Sequence, residues 1–379
     1  LGAQVCVAPW HAGTWSQFDD AAPFPATTAY LDATAGRIPG TPLSFLLREA
    51  GVPVAGLHGT VIADAAPYEV FNLHHVVVGP APMLPLHPES RPRRAGLAQR
   101  TDPADWSPSL VVMYPSYECF AVGAAAHSPA HMDQLVRGVV DWAADADIRA
   151  VAFLYVPSPP DGPLSALALA LRAAGFDRIP LSYACTLPLT GAAFDDYLRS
   201  LPAGRRGDVR RELRALDRSG ISFGVRPLRD CFDDVVRLRC ALVRKYRGAA
   251  QDGAERGRLR QIAALWTEHE IGVFQGSLPS AMLGFALFHG YRGTWYPYWT
   301  GADYDHPRHR LVYFQTLYYE PIRLALDAGA TMIDYGQGSW AAKRSRGCDL
   351  TPMDGWVMPL RAHLRPITAA SAACTELVR

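Results

Sequence analysis

Residues 332–347, MIDYGQGSWAAKRSRG, read as a buried strand, a tight glycine turn and a short helix carrying positive charge. Gly336, Gly338 and Ala341 satisfy the G-x-G-x-x-A form of a dinucleotide-binding turn, and Asp354 stands near the place of a ribose-binding acid. That reading fails beyond the turn, because a dinucleotide fold needs a further strand–helix–strand unit after its fingerprint. Downstream of Gly336, as far as residue 379, Pro352, Pro359 and Pro366 leave no room for one. The turn is expected instead to close a domain, with Lys343 about one helical turn beyond it.

Upstream, the elements fall into a repeated order. TWYPYWTGAD (294–303) reads as a strand interrupted by Pro297, RLVYFQTLYYEPIRLALDAGA (310–330) as a long helix, and IGVFQGS with SAMLGFALFHG (271–290) as the hairpin before them. In the first half LSFLLREAGVPVAGLHGTVIAD (43–64) reads as a hairpin and YEVFNLHHVVVG (68–79) as a strand. A structureless loop is expected over 85–103, then a strand, SPSLVVMYPSYECF (107–120), broken by Pro115. Ser128 and Pro129 open a helix as N-cap and first residue, followed by a strand over 150–157, a helix stopped by Gly175 and a strand over 181–189. DGWVMPL (354–360) is the last strand. The repetition implies an internal duplication, with domains at 1–190 and 191–379 in an α/β class.

The second half opens on FDDYLRSLPAGRRGDVRRELRALDRSG (194–220), a helix rich in arginine. It is either a solvated face with internal partners in Glu212 and Asp217 or a phosphate-binding stripe that includes Arg206 and Arg210. Net charge is only +1, which argues against a general nucleic-acid coat but allows a local patch. Of 37 basic residues only Lys245 and Lys343 are lysine. The seven cysteines are scattered and odd in number, which suits reduced thiols rather than a disulfide or zinc framework. His127 and His131 flank Pro129 without an acidic motif, His74 and His75 point to opposite faces of the expected strand, and Cys119 lacks a recognisable partner, so metal and thiol chemistry are weak readings. A basic leader and an apolar span are absent, an opening without Met reads as a trimmed chain, and a cytoplasmic location is expected.

One run carries a resemblance. It contains Trp299 and Gly301 in a turn, paired Tyr318 and Tyr319 on a helix, Asp334 at a strand end, the Gly336–Gly338 turn, Lys343, and Arg346 with Gly347. In these residues, and in the phenylalanine-led basic segment from Phe194, the chain resembles the Fem-like branch of the GNAT acyltransferase superfamily, the bacterial peptidoglycan biosynthesis/recognition proteins. The likeness covers about residues 190–356, and the first half mainly by order of elements. His309, Arg310 and Leu311 depart from it, since relatives carry an acidic residue there.

The resemblance implies two tandem GNAT-like domains, each with a mixed sheet splayed at a central strand that admits an acyl donor. A proline inside a central strand agrees physically, because it removes a ladder hydrogen bond and marks a bulge or splay, as expected at Pro115 and Pro297. Transfer of an acyl group to an amine then needs an oxyanion site and a route for the ammonium proton. Asp303, Asp334, Glu118 and Tyr298 are the catalytic candidates. Lys343 and Arg346 share a helix face suited to an anion, and Arg308, His309 and Arg310 precede a long helix at a loop comparable to the one with which GNAT relatives hold donor phosphate. Tyr296, Trp299, Tyr318, Gln337 and Tyr117 are candidate substrate contacts. Aminoacyl-tRNA is narrowly favoured as donor over acyl-CoA, with a small-molecule or peptide amine as acceptor, a tRNA acceptor stem as a partner and no tightly bound cofactor. The alternatives are an acyl-CoA-dependent N-acyltransferase of small-molecule biosynthesis and a non-catalytic protein that binds a cell-wall or peptide ligand.

Overall fold

The structure is a computed structural model that describes residues 3–64, 69–79, 90–159 and 162–374. In chain order the strands are β1 (Gln4–Pro9), β2 (Thr41–Glu49), β3 (Val52–Ile62), β4 (Ser109–Val112), β5 (Ala150–Pro157), β6 (Asp177–Pro188), β7 (Ser222–Arg226), β8 (Glu270–Leu278), β9 (Ala281–Tyr291), β10 (Thr294–Ala302), β11 (Met332–Asp334) and β12 (Asp349–Pro359). They divide between two units, one comprising Leu1–Ala184 with Thr351–Arg379, the other Cys185–Leu350.

In the first unit the strand order is β1-β2-β3-β4-β5-β12-β6. The hairpin of β2 and β3 closes through Ala50 and Gly51, whose φ values of 49° and 85° form the two-residue left-handed turn that matches strand twist. β4 and β5 run parallel from Ser109↔Ala150 to Val112↔Phe153 and are buried, as strands covered on both faces must be. The helix Pro129–Asp145 joins them. Ser128 is its N-cap residue and Pro129 its first, and it buries Met132, Leu135, Val136, Val139 and Ala143 on one stripe. Each of the larger side chains contributes about 1.5–3 kcal/mol by leaving water.

The second unit is ordered β11-β10-β9-β8-β7, and the last residues of β6 pair with β11 from Met332↔Pro188 to Asp334↔Thr186. β10 and β11 are again parallel and joined by a helical run, His309–Phe314, a π-turn Gln315–Tyr319, and Glu320–Asp327. Both units thus repeat a hairpin followed by a parallel pair with a helix between them, a tandem arrangement of mixed α/β units. No helix among the described residues is long and apolar enough to cross a membrane.

The structure departs from expectation in four places. The segment expected as a strand over 68–79 is helical where described, with a short turn Glu69–Phe71 and a helix Leu73–Val78. Asn72 caps that helix by accepting from His75 N at 3.2 Å, and burial of Leu73, Val76, Val77 and Val78 overrides the strand preference of valine. Part of the expected loop is a helix, Ser90–Ala98, while residues 85–89 lie outside the described residues. Arg94 is buried there and donates to the carbonyls of Val76 and Val77 at 2.8 Å, closing the C-terminal end of the neighbouring helix. Pro115 lies beyond β4 rather than inside it: the strand stops at Val112, and the chain turns back through Tyr117, at φ 66°, so that Tyr114 N donates to Glu118 O at 2.7 Å. Finally, the division differs from 1–190 and 191–379. Residues 351–379 return to the first unit because β12 pairs antiparallel with β5 from Met353↔Pro157 to Pro359↔Ala150. Asp354, on that strand, is buried against Arg178 Nε at 2.5 Å and takes no part in the glycine turn.

Candidate active site

The pairing of β10 decides what the second unit can do. On the β9 side its ladder runs from Thr294↔Tyr291 to Ala302↔Gly284, with a bulge between Pro297 and Trp299 that leaves Tyr298 as the extra residue. On the β11 side the ladder has only two pairs, Thr294↔Met332 and Trp295↔Ile333. β11 meanwhile stays with β6, and beyond it Tyr335 N donates to Cys185 O at 2.9 Å and Cys185 N to Gly336 O at 3.0 Å. The parallel ladder therefore stops after Trp295, and the interval between Tyr296–Trp299 and Asp334–Gly336, hereafter the wedge, carries no strand pairing. This is where the sequence placed the splay.

Aromatic side chains line the β10 side. The Tyr298 ring lies 4.8 Å from Trp266 and 5.9 Å from Trp299, and the Arg239 guanidinium sits 5.0 Å over Trp299. Under the β11 side runs the π-turn, a geometry that recurs at functional sites, with Gln315 to Tyr319 all buried. Tyr318 stacks on Tyr335 at 4.8 Å, and Tyr335 OH donates to Leu317 O at 3.1 Å.

The glycine turn is not an anion cradle. An anion cradle presents main-chain N–H groups, but here three carbonyls converge on a buried cation. Lys343 Nζ donates to Tyr335 O at 2.7 Å, Gln337 O at 2.8 Å and Gly336 O at 3.3 Å. Positive φ at Gly336 (61°), Gly338 (76°) and Ser339 (48°) makes that convergence possible, and only glycine adopts such angles without strain. Burial pushes the Lys343 ammonium pKa down. Arg346, 3% exposed, lies 3.5 Å over the Phe314 ring and pairs with Glu212 Oε2 at 3.5 Å. The pair expected to bind an anion on a helix face is therefore buried, and its charges serve the turn and the aromatic floor.

Asp334 ends β11 at the mouth of the wedge. Its Oδ1 accepts from Gly336 N at 2.8 Å, and burial raises its pKa against the opposing influence of that N–H and of Lys343. Asp303 braces the loop after β10: its Oδ1 accepts from Asp305 N at 3.2 Å and its own N donates to Leu283 O at 2.8 Å. His309 Nδ1 is 2.9 Å from His306 O and its ring lies 5.5 Å from Tyr304. Arg308 is exposed and reaches Ser219 O, and Arg310 is exposed. Glu118 and Tyr117 belong to the first unit, where Tyr117 packs on Phe71 at 5.8 Å and on Tyr155 at 5.5 Å.

The arginine helix, Ala203–Asp217, separates into two faces. Arg205 pairs with Asp208 at 3.3 Å and Glu212 at 3.5 Å, Arg211 pairs with Asp208, and Arg206 donates to Leu201 O at 3.3 Å. Arg210, Arg214 and Arg218 recur every fourth position, are exposed, and have no acidic partner among the described residues. Because Arg308 binds Ser219 O, this face runs up to the loop after β10. Glu212 was visible in sequence only as an intrahelical partner, yet it accepts from Tyr319 OH and pairs with Arg346, tying the helix to the floor of the wedge. No group of His, Cys, Asp and Glu among the described residues could hold a metal ion, and His131 instead contacts Glu49 Oε1 at 2.8 Å.

No protein-family model matches the chain, and no curated protein matches it. Among solved structures, FemX superposes with a TM-score of 0.57 over 95% of this chain and 99% of its own, at 12% identity. A tandem GNAT protein from the clavulanic acid biosynthesis pathway gives 0.52 over 94% and 98%, at 14% identity. At such identities the likeness is one of fold, and the fold is that of tandem GNAT proteins.

Proposed function

We propose that this chain, folded as a tandem GNAT protein, is an acyltransferase that forms an amide bond, with the wedge of the second unit receiving the activated acyl group. The observation that carries this reading is the parallel ladder that ends at Trp295. Beyond it, a strand edge without a ladder to β11 lies beside the aromatic rings of Tyr298 and Trp299, so main-chain dipoles stand next to apolar surface. That combination suits a carbonyl whose oxygen gains negative charge, since fixed donors act strongly where water is excluded.

In the reaction, the amine nitrogen attacks the carbonyl carbon, the new C–N bond forms, and the bond from carbon to the carrier oxygen or sulfur breaks. The ammonium proton passes to Asp334 and from there to the leaving group or solvent. A carboxyl with a raised pKa is a better proton acceptor than an ordinary one. Tyr296, Tyr298, Trp299 and Tyr318 shape the channel around the acyl group.

For the donor we favour aminoacyl-tRNA. The exposed face of Arg210, Arg214 and Arg218 extends about 12 Å along its helix. A track of that length suits successive phosphates of a nucleic-acid strand better than one compact pyrophosphate. Arg308 and Arg310 continue it toward the wedge. The test is mass spectrometry of the purified protein with charged tRNA, acyl-CoA and a panel of amines. Consumption of charged tRNA with amide formation is expected. Consumption of acyl-CoA alone would move the assignment to a CoA-dependent N-acyltransferase, and no amide from either donor would end the acyltransferase reading.

A further inference from the structure

The first unit carries a separate constellation at the start of its long helix. Ser128 is the N-cap residue of Pro129–Asp145, a position where a serine hydroxyl ordinarily accepts from the second or third helical N–H and steadies the first turn. Here the side chain makes no cap bond. Its Oγ lies instead 2.6 Å from His131 Nδ1, and the other ring nitrogen, Nε2, lies 2.8 Å from Glu49 Oε1 at the end of β2. A hydroxyl, an imidazole and a carboxylate thus stand in series, each within hydrogen-bond reach of the next.

The two contacts fix the protons. As a carboxylate Glu49 only accepts, so it holds the ring hydrogen on Nε2 and leaves the Nδ1 lone pair to accept from the Ser128 hydroxyl. That is the arrangement of an activated nucleophile, in which the base touches the hydroxyl and a third group orients the base. Main-chain bonds hold the parts in place. Ser128 N donates to Ala125 O at 3.0 Å, Ala125 N donates to Val54 O on β3 at 2.9 Å, and β3 pairs with β2 as far as Glu49↔Val52. The His131 and Glu49 side chains are 29% and 49% exposed, so a solute can reach them. The unmade cap bond also leaves the first-turn N–H groups of Ala130 and His131 for the oxygen of a carbonyl brought to Ser128. A tether between helix and hairpin needs only His131 and Glu49, and does not account for a serine that gives up its cap.

We propose that Ser128, His131 and Glu49 form a second site, which hydrolyses esters of small acyl groups through an acyl-serine. Ser128 Oγ attacks the ester carbonyl carbon while its proton passes to His131 Nδ1. The bond from that carbon to the alcohol oxygen breaks, and the alcohol leaves with the proton. Water then attacks the acyl-serine and gives a proton to Nδ1, which returns it to Ser128 Oγ as the carboxylic acid departs. All three residues belong to the first unit, so the site would stand if the transferase reading of the wedge failed.

The test treats the full chain with a biotinylated fluorophosphonate, maps the adduct by peptide mass spectrometry, and follows hydrolysis of p-nitrophenyl acetate in parallel. An adduct on Ser128 and a burst of nitrophenolate followed by steady turnover are expected. Ser128→Ala should abolish both, at no cost to a cap bond the serine does not make. His131→Phe keeps a ring but no base, and should slow labelling and turnover by about 10²–10⁴-fold. Glu49→Gln should slow them less. Labelling that misses Ser128 in the native chain, turnover that survives Ser128→Ala, or labelling untouched by His131→Phe would overturn the proposal and leave the three side chains as a tether.

Discussion

At the scale of the residue, Asp334 and Lys343 show how burial divides tasks between charges. Both lie at the glycine turn, but the lysine gathers its carbonyls while the carboxylate accepts from its Gly336 N–H. Burial raises the folded pKa of Asp334 above its ordinary 3.8, so the carboxyl holds its proton more tightly folded than unfolded. Its contribution to stability is full below 3.8 and is lost as pH rises through the folded value. Asp334→Asn removes that loss, keeps an oxygen for Gly336 N, and should raise the melting temperature at neutral pH. The same change should lower kcat/KM by about 10²–10⁴-fold and erase the acid limb of its pH profile, which in the native protein lies above the usual carboxylate range. A persistent acid limb in the variant would assign the base to another group. Asp334 and Lys343 were both readable as candidates from their spacing, but their roles were not. Whether a lysine meets a phosphate or three carbonyls depends on the φ angles of Gly336, Gly338 and Ser339, which spacing does not encode.

At the scale of the element, local chemistry was readable where the turn itself dictates geometry. The hairpin through Ala50–Gly51 was read and closes with two left-handed residues; the one through Arg292–Gly293 closes in the same way but was not read from the sequence. The helix Leu73–Val78 reads as a strand in sequence because its valines favour one, and only burial on several sides reverses that. The π-turn was not read from the sequence, although Pro321, two residues beyond it, lacks the N–H that an α-helix would give to Leu317 O, which instead accepts from Tyr335 OH. The arginine helix could be read as a stripe, but not which arginines were already paired. If Arg210, Arg214 and Arg218 track phosphates, changing all three to Gln should reduce the slope of log donor affinity against log salt by about 2–3. Measurement of tRNA binding between low and physiological salt checks it, and an unchanged slope would take this face out of donor binding.

At the scale of the whole chain, the order of elements revealed the duplication, and pairing between distant segments escaped the sequence reading. DGWVMPL reads as a strand, yet nothing in it says that its partner is β5, some two hundred residues earlier, as it is from Met353↔Pro157 to Pro359↔Ala150. That ladder moves the boundary of the second unit back to Leu350. Truncation after Leu350 should therefore injure the first unit rather than the second. Limited proteolysis should cut the truncated chain within residues 109–184 while sparing 185–350, and equal protection of both would show that β12 is dispensable.

The interleaving of β12 also sets an order of events during synthesis. β5 leaves the ribosome with one long edge bare, and its partner appears only after nearly the whole second unit has been made, roughly 10–40 s later at ordinary elongation rates. For that interval a buried, apolar strand presents unsatisfied main-chain groups to the cell, so nascent chains of this protein should depend on holding chaperones more than their finished stability suggests.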